Sequence, residues 1–326
     1  MMHTKEELRA AVEAYLSSLS YTRPPVELYS PISYTLALGG KRLRPVMALM
    51  ACEAYCGDIE RALPLAGALE LYHNHTLLHD DVMDKADLRR GKPTVHAKWG
   101  DNAAILSGDV MLLLAYKTLG GLPAGQLELV MPAFTAMAVE ICEGQQLDME
   151  FETRDDVTVD DYLGMTRLKT AVFFATALRC GAMLGGAGED DCRALYELGI
   201  NFGLAFQLQD DYLDVYGDTE LFGKNIGGDI FCNKKTFLLI TAMNNALPSD
   251  RETMAQWMAR ETFDTDEKVA AFKTIYERAN VRRDTEEKIG AYFTKAEECL
   301  SSLSLPAEKV QVLRDLLLQS TIHRSR

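Results

Sequence analysis

The chain is short of positive charge. Against 48 aspartates and glutamates it has 34 lysines and arginines, a formal net charge of −14. Nucleic acid and anionic membrane surfaces both need a basic partner, so neither is an expected ligand. Cysteine is present but unorganised: the seven cysteines, at 52, 56, 142, 180, 192, 232 and 299, are odd in number and form no Cys-x-x-Cys pair. In a chain of 326 residues this argues against a disulfide framework or a zinc site and for reduced thiols in the cytoplasm. The opening residues, Met1-Met2-His3-Thr4-Lys5-Glu6-Glu7, lack the apolar stretch of a secretory signal. No uncharged apolar run reaches about 18 residues, so no membrane span is expected. Strand signals are missing too, with no convincing alternation and no Asn-Gly or Asp-Gly hairpin between β-rich runs.

What remains is helical. Leu8, Val12, Tyr15, Leu16 and Leu19 repeat at helical spacing, as do Leu195, Leu198, Phe202, Ala205 and Phe206. Breakers such as Pro24-Pro25, Gly39-Gly40, Gly91-Lys92-Pro93, Gly120-Gly121, Gly185-Gly186, Gly227-Gly228 and Leu305-Pro306 punctuate the pattern into about ten or more helices. No linker, low-complexity tract or repeat divides the chain. With 48% hydrophobic residues it can bury a sizeable core, and the expected architecture is one all-α domain over residues 1–326, a large helical bundle.

Two Asp-Asp-x-x-Asp clusters stand out, Asp80-Asp81-Asp84 and Asp210-Asp211-Asp214. At i, i+3 and i, i+4 the carboxylates share one helix face. Unpaired, each like-charged pair destabilises an isolated helix by roughly 0.2–0.5 kcal/mol, a cost that a cation removes. Oxygen ligands completed by water and phosphate suit magnesium. A single cluster could equally be a solvated acidic face. Each of these, however, ends an apolar helix: Ala66, Leu69, Leu71, Tyr72, Leu77 and Leu78 precede the first, and Ile200, Phe202, Leu204, Phe206 and Leu208 the second. Facing one another across a bundle, six carboxylates would surround one cavity and hold two or three magnesium ions on a diphosphate. Two concentrated basic loops accompany them, Gly39-Gly40-Lys41-Arg42-Leu43-Arg44-Pro45 at a helix start, where backbone N–H groups also favour phosphate, and Arg89-Arg90 just past the first cluster.

The ordered set Gly39-Gly-Lys-Arg-Leu-Arg-Pro45, Glu70-x-x-His73-x-x-Thr76-Leu-x-His79-Asp-Asp81, Arg89-Arg90-Gly91, Gly144-Gln145-x-x-Asp148, Lys169-Thr170, Gln207-x-x-Asp210-Asp211-x-x-Asp214 and Gly223-Lys224-x-x-Gly227-x-Asp229-Ile230 resembles the trans-isoprenyl diphosphate synthases. That family makes farnesyl, geranylgeranyl and longer polyprenyl diphosphates. The resemblance implies a Mg2+-dependent prenyltransferase of the isoprenoid synthase fold, with a central active-site cavity, acting as a homodimer. It implies that Asp80, Asp81, Asp84, Asp210, Asp211 and Asp214 serve the metal ions. Arg89, Lys169, Lys224, Lys234, Gln145 and Asp148 would surround the allylic diphosphate, which is the dimethylallyl, geranyl or farnesyl ester. Lys41, Arg44, His73 and Arg90 would hold isopentenyl diphosphate, while Lys169, Thr170, Gln207 and Lys224 would act at the reacting carbons. The tail His323-Arg324-Ser325-Arg326 resembles segments that close over such sites. One departure is visible: Cys232 and Asn233 stand where glutamate and glycine are usual, although Lys234 and Thr236 match.

The first cluster has no two-residue insertion, unlike the common bacterial farnesyl type. His75 and Thr76 lie five and four residues before Asp80, roughly 6–7.5 Å down the helix, about one isoprene unit. Paired aromatics there would stop growth early and paired small residues would allow long chains, so His75 points to geranylgeranyl or farnesyl diphosphate, with a C30–C40 product as the alternative. Three rival functions fit less well. An HD-type phosphohydrolase would need more spaced histidines than the six present. A class I terpene cyclase would carry a different second cluster, and a non-catalytic partner subunit would usually lose one cluster.

Overall fold

The computed structural model describes residues 2–217 and 227–322, with side chains described to Leu317. Helices α1 (Lys5–Ser18), α2 (Val26–Ala37) and α3 (Leu43–Cys56) lead through a 3-10 turn to α4 (Leu63–Met83). A two-residue antiparallel ladder, β1 (Leu88–Arg89) with β2 (Lys92–Pro93), precedes α5 (Val95–Trp99), α6 (Asp101–Leu119) and α7 (Ala124–Thr153). Helix α8 (Val159–Thr166) runs through a π-helical turn, Arg167–Ala171, into α9 (Val172–Gly185), followed by α10 (Glu189–Tyr216). Beyond residue 226 come α11 (Gly228–Phe231), α12 (Phe237–Asn245), α13 (Pro248–Met258), α14 (Thr265–Arg278), α15 (Val281–Ser301) and α16 (Ala307–Ile322).

The all-α expectation holds, and the small ladder is the exception to it. Its turn residues Arg90 and Gly91 have φ of 54° and 70°. Positive φ at both central positions is the hairpin geometry usually signalled by Asn-Gly or Asp-Gly, and arginine in the first place hid it from the sequence reading. Local chemistry sets the helix starts elsewhere. Thr4 with Glu7 and Thr158 with Asp161 form reciprocal capping boxes that satisfy the first donors of α1 and α8.

The chain forms two compact units. The first comprises Met1–Phe134, Ala177–Arg193 and Leu305–Lys309. Its core is built on α4, where Leu65, Ala66, Ala68, Leu69, Leu71 and Tyr72 are buried in almost unbroken succession. Helix α4 therefore reads apolar all round, as a central helix must. The rings of Tyr72 and Tyr116 both meet Phe134 edge-on, with centroids 5.9 and 5.3 Å away. The second unit comprises Thr135–Thr176, Ala194–Ser304 and Val310–Arg326. There Phe174 packs edge-on against Phe202 and Phe206, and Leu238, Met254, Phe272, Ile275 and Tyr276 form a further core cluster.

Two described helical segments, Ala124–Thr153 and Val159–Gly185, have the length and composition of a membrane span, which the search for uncharged runs did not anticipate. The most apolar window of the second is 78% buried, as a core helix would be, whereas that of the first is 28% buried.

A buried ion network fixes the start of α3 in the first unit. Arg42, at a left-handed φ of 50°, is fully buried and binds Glu70 Oε1 at 2.5 Å, Glu13 Oε1 at 2.8 Å and the Leu36 carbonyl at 2.8 Å. Glu70 Oε1 also accepts from Asn74 Nδ2 at 2.9 Å. Removing one partner of a buried pair strands the other charge, at a cost of about 3–5 kcal/mol. Glu70→Ala is accordingly expected to lower the urea unfolding midpoint sharply, whereas Glu13→Ala, at the network's half-exposed edge, has a much smaller effect. Equal midpoints for the two variants would contradict this account.

Candidate active site

In the first unit, the ladder carries Arg89 and Arg90 back toward α4. Arg89 Nε donates to both carboxylate oxygens of Asp81 at 2.9 Å, and its NH2 lies 2.7 Å from Oδ1. Asp81 is buried, and this planar fork accounts for both of its oxygens. Asp80 is half-buried, while Asp84 caps the end of α4 and is exposed. Arg90 lies against the glycine pair of the basic loop: a Cβ on Gly40 would come within 2.8 Å of its NH2. Arg44 NH1 is 3.4 Å from His73 Nε2. Burial, then Arg44, Arg90, Arg89 and Arg42 in that order, hold the His73 imidazole well below its ordinary pKa, so it is neutral in the free protein. Lys41 is exposed on the same loop. The second half of α4 thus brings acceptor carboxylates and several guanidinium groups into one part of the first unit.

His75 and His79 are used differently. His75 Nδ1 donates to the Gly108 carbonyl and His79 Nε2 to the Ile105 carbonyl, both at 3.0 Å, so the two rings tie α4 to α6. Burial and the neighbouring His79 push His75 down to about 4. Thr76 donates to the carbonyl of His73 at 2.8 Å. These bonds engage one nitrogen of each ring with a backbone carbonyl, which weakens the case for an HD-type metal centre.

In the second unit, the π-helical turn presents Lys169 and Thr170. It sits directly on α7: a Cβ at Gly144 would be 2.4 Å from the Lys169 nitrogen, so only glycine permits this approach. Lys169 Nζ contacts Asp148 Oδ2 at 2.5 Å. Thr170 Oγ1 donates to Gln207 Oε1 at 3.2 Å, and Gln207 Nε2 donates to Asp211 Oδ1 at 2.8 Å. The other oxygen of Asp211 accepts from the buried Tyr162 hydroxyl at 2.6 Å. Burial pushes the Asp211 carboxyl up to about 6 against these two donors. Asp210 and Asp214 are half-buried, and Asp214 Oδ2 accepts from the Asp229 amide at 2.9 Å. Asp229 itself is pushed up to about 8, by burial first and then by Asp211. Lys234 exerts its charge on both Asp211 and Asp229.

Each cluster therefore has an inner aspartate with both oxygens bonded to protein donors, Asp81 or Asp211, and outer aspartates on either side of it. Among the described residues, no three His, Cys, Asp or Glu side chains already converge as a ligand set.

The polyprenyl synthetase family model matches residues 25–276. The geranylgeranyl diphosphate synthase of Methanosarcina mazei is 42% identical over 241 residues, 73% of this chain and 74% of its own. A crystal structure of a geranylgeranyl pyrophosphate synthase superposes with a TM-score of 0.95 at 42% identity, over 99% of this chain and 100% of that one. The geranylgeranyl pyrophosphate synthase of Corynebacterium glutamicum, solved with isoprenyl diphosphate and magnesium, gives 0.87 at 29% identity, over 98% of each chain. This chain belongs to the polyprenyl synthetase family.

Most residues expected from the family motifs lie together within their own unit, as described. Lys224 and the tail His323–Arg326 lie outside the described residues. Three contributors escaped the sequence reading of site residues. Arg42 sits between Lys41 and Arg44 yet is buried under Glu70, and the adjacent Glu70-x-x-His73 spacing was the available clue. Tyr162, 49 residues from Asp211, carries no local signal. Asp229 was visible only as part of a motif.

His73 offers a direct test of the cation cluster. Because its pKa is depressed on folding, the unfolded chain takes up a proton near pH 6.5 that the folded chain refuses, so this group withdraws stability as pH falls through that value. An anion among the arginines must raise it again. In histidine NMR spectra, assigned with His73→Gln, the His73 resonance is expected to stay neutral at pH 6 and to titrate at higher pH once inorganic pyrophosphate is added. No upward movement would mean that the cluster does not bind the anion.

Proposed function

We propose that the chain joins isopentenyl diphosphate head to tail, in trans geometry, to dimethylallyl, geranyl or farnesyl diphosphate. It releases pyrophosphate and yields a short-chain product, geranylgeranyl or farnesyl diphosphate. The observation that carries this reading is a pairing along the second half of α4: the Asp81–Arg89 fork, and on the same helix His73 with Arg44 and the charges of Arg89 and Arg90 acting on it. Carboxylates for cations and guanidinium groups for anions, side by side, suit a protein that handles two diphosphates. Coverage of 99% of the chain by one synthase structure supports a single functional domain.

The outer aspartates Asp80, Asp84, Asp210 and Asp214 are the residues suited to hold Mg2+ on the allylic diphosphate, with Asp81 and Asp211 orienting them. When bound, the ions neutralise the charge that develops on the departing pyrophosphate. Arg89, Lys169, Lys224 and Lys234 add to that neutralisation, with Gln145 and Asp148 beside them. As the allylic C–O bond breaks, its electron pair leaves with pyrophosphate. In this reading the side-chain oxygens of Thr170 and Gln207, 3.2 Å apart, stabilise the carbocation. Lys41, Arg44, His73 and Arg90 hold isopentenyl diphosphate, whose double bond attacks the cation, and a proton then passes to the released pyrophosphate.

The protein acts as a homodimer in this reading. Leu106 and Leu113, on one face of α6, are 55% and 67% exposed, and the apolar stretch of α7 is mostly uncovered, so a second copy would bury surface that the single chain leaves in water. Seven free cysteines support a cytoplasmic setting.

Incubation of the purified protein with labelled isopentenyl diphosphate, Mg2+ and each allylic primer in turn is expected to yield C15–C20 diphosphates. No elongated product with any primer would overturn the reading. His75, wedged against α6 and 5.5 Å from the Tyr72 ring, is the proposed stop for the growing tail. His75→Ala is expected to lengthen the product by at least one isoprene unit on chromatography, and an unchanged distribution would remove that role.

A further inference from the structure

The segment after the second aspartate cluster departs from the family pattern at Asn233, and the structure gives this residue a partner outside the family motifs. Asn233 adopts φ of 56°, the left-handed region where glycine is free and asparagine is among the tolerated side chains. A glycine there would satisfy the backbone and anchor nothing. Asparagine anchors on both sides. Its Nδ2 donates to the Met258 carbonyl at 3.2 Å, and its Oδ1 accepts from Lys268 Nζ at 2.7 Å.

Lys268, on α14, is 0% exposed. A lysine is almost never fully buried without a carboxylate, and this one has none among the described residues. Its ammonium instead donates to Asn233 and, at 3.1 Å, to the Phe231 carbonyl, and it lies 4.2 Å from the centre of the Phe263 ring. Burial lowers its pKa, so keeping a charge there has a cost that a simple space-filling residue would avoid.

The bonds run from this lysine to the aspartates in short steps. Lys268 holds Phe231 and Asn233. The Lys234 amide, one residue on, donates to the Asp229 carbonyl at 2.9 Å. The Asp229 amide donates to Asp214 Oδ2 at 2.9 Å. A segment of seven residues, 228–234, is thereby pinned at one end by Lys268 and applied at the other to Asp214, with Lys234 directed at Asp211 and Asp229.

We propose that Asn233 and Lys268 form a clamp that positions the Asp214 carboxylate and the Lys234 ammonium of the second aspartate cluster. Both are positioning residues; neither touches substrate. The inference rests on the proposed function above, through the metal role of Asp214. In this chain the clamp supplies the rigidity that a glycine at position 233 would not.

The test uses the full-length protein and the variants Asn233→Gly, Asn233→Asp and Lys268→Met. Asn233→Gly and Lys268→Met are each expected to raise, roughly tenfold, the Mg2+ concentration needed for half-maximal turnover. KM for isopentenyl diphosphate stays at the parent value. Asn233→Asp keeps both the left-handed tolerance and the acceptor, and stays within about twofold of the parent; the double variant Asn233→Gly/Lys268→Met is no worse than either single one. Mg2+-dependent binding of inorganic pyrophosphate, measured by calorimetry on the same proteins, reads the clamp independently of turnover. An inactive parent would therefore sink the proposed function alone. Parent-like Mg2+ dependence in folded Asn233→Gly would sink the clamp alone. If Lys268→Met does not fold, the two Asn233 variants decide, since φ of 56° is open to glycine. A fall in melting temperature with unchanged Mg2+ dependence per folded molecule would reduce the pair to a structural role and overturn the proposal.

Discussion

A carboxylate cluster that waits for cations must hold its shape without them. The shared solution in the two clusters is to sacrifice the middle aspartate. Asp81 is buried under the two-point grip of Arg89, and Asp211 under Tyr162 and Gln207. Each inner carboxylate has both oxygens bonded to protein donors and serves as a fixed post on its helix. Its outer neighbours are then placed by helix geometry, since residues three and four apart share a face. The two posts are chemically different. A guanidinium neutralises Asp81 outright, whereas the neutral donors of Asp211 leave its charge only partly compensated, and burial accordingly raises its pKa to about 6. The second cluster therefore depends more on nearby cations, and among the described residues Lys234 acts on both Asp211 and Asp229.

The basic half of the first unit poses the opposite problem, too many like charges in a protein whose net charge is −14. Arg42 shows how the fold manages it. Its side chain turns inward to Glu70 and Glu13, so that one of the three cations in Lys41-Arg42-Leu43-Arg44 is consumed in bracing the loop. Its left-handed backbone leaves Lys41 and Arg44 on either side of the brace. Burial first, and then the guanidinium groups around it, hold the His73 imidazole below its ordinary pKa. A neutral imidazole among arginines can still donate a hydrogen bond to phosphate, and it can take on charge as the anion arrives.

The elements of this fold and most of its chemistry were legible in the sequence because they are local. Apolar periodicity marks α1 and α10, the aspartates fall at helical spacing, and glycine-rich turns bracket the basic loops. What was not legible depends on contacts between distant residues. Nothing near Tyr162 announces that its hydroxyl meets Asp211, and nothing near Lys268 announces Asn233, 35 positions earlier. The π-helical turn at Arg167–Ala171 has no glycine or proline to mark it. Its cause lies on another helix, in the absent side chain of Gly144. The hairpin at Arg90-Gly91 was missed for a related reason: arginine is a poor statistical choice for positive φ, yet that conformation is what brings Arg90 against Gly40.

The same distinction between local chemistry and tertiary contact bears on product length. In the proposed function the aspartates and arginines act on diphosphates and are indifferent to the length of the hydrocarbon, so they cannot decide it. The proposed stop, His75, differs from a plain plug of the same volume. Its ring is tethered to the Gly108 carbonyl and stacked edge-on against His79, which is itself bonded to the Ile105 carbonyl. A phenylalanine could fill similar space but could not make the tether, and would be free to turn aside as a tail pressed on it. A tethered ring yields only if its bond to α6 breaks, and at this buried position a broken bond leaves a donor and an acceptor unpaired, a penalty of about 1–3 kcal/mol. In the proposed role of His75 the barrier to the next isoprene unit comes from hydrogen bonding as well as from bulk, so an account of length based on side-chain size alone would underestimate how firmly a histidine can stop the chain.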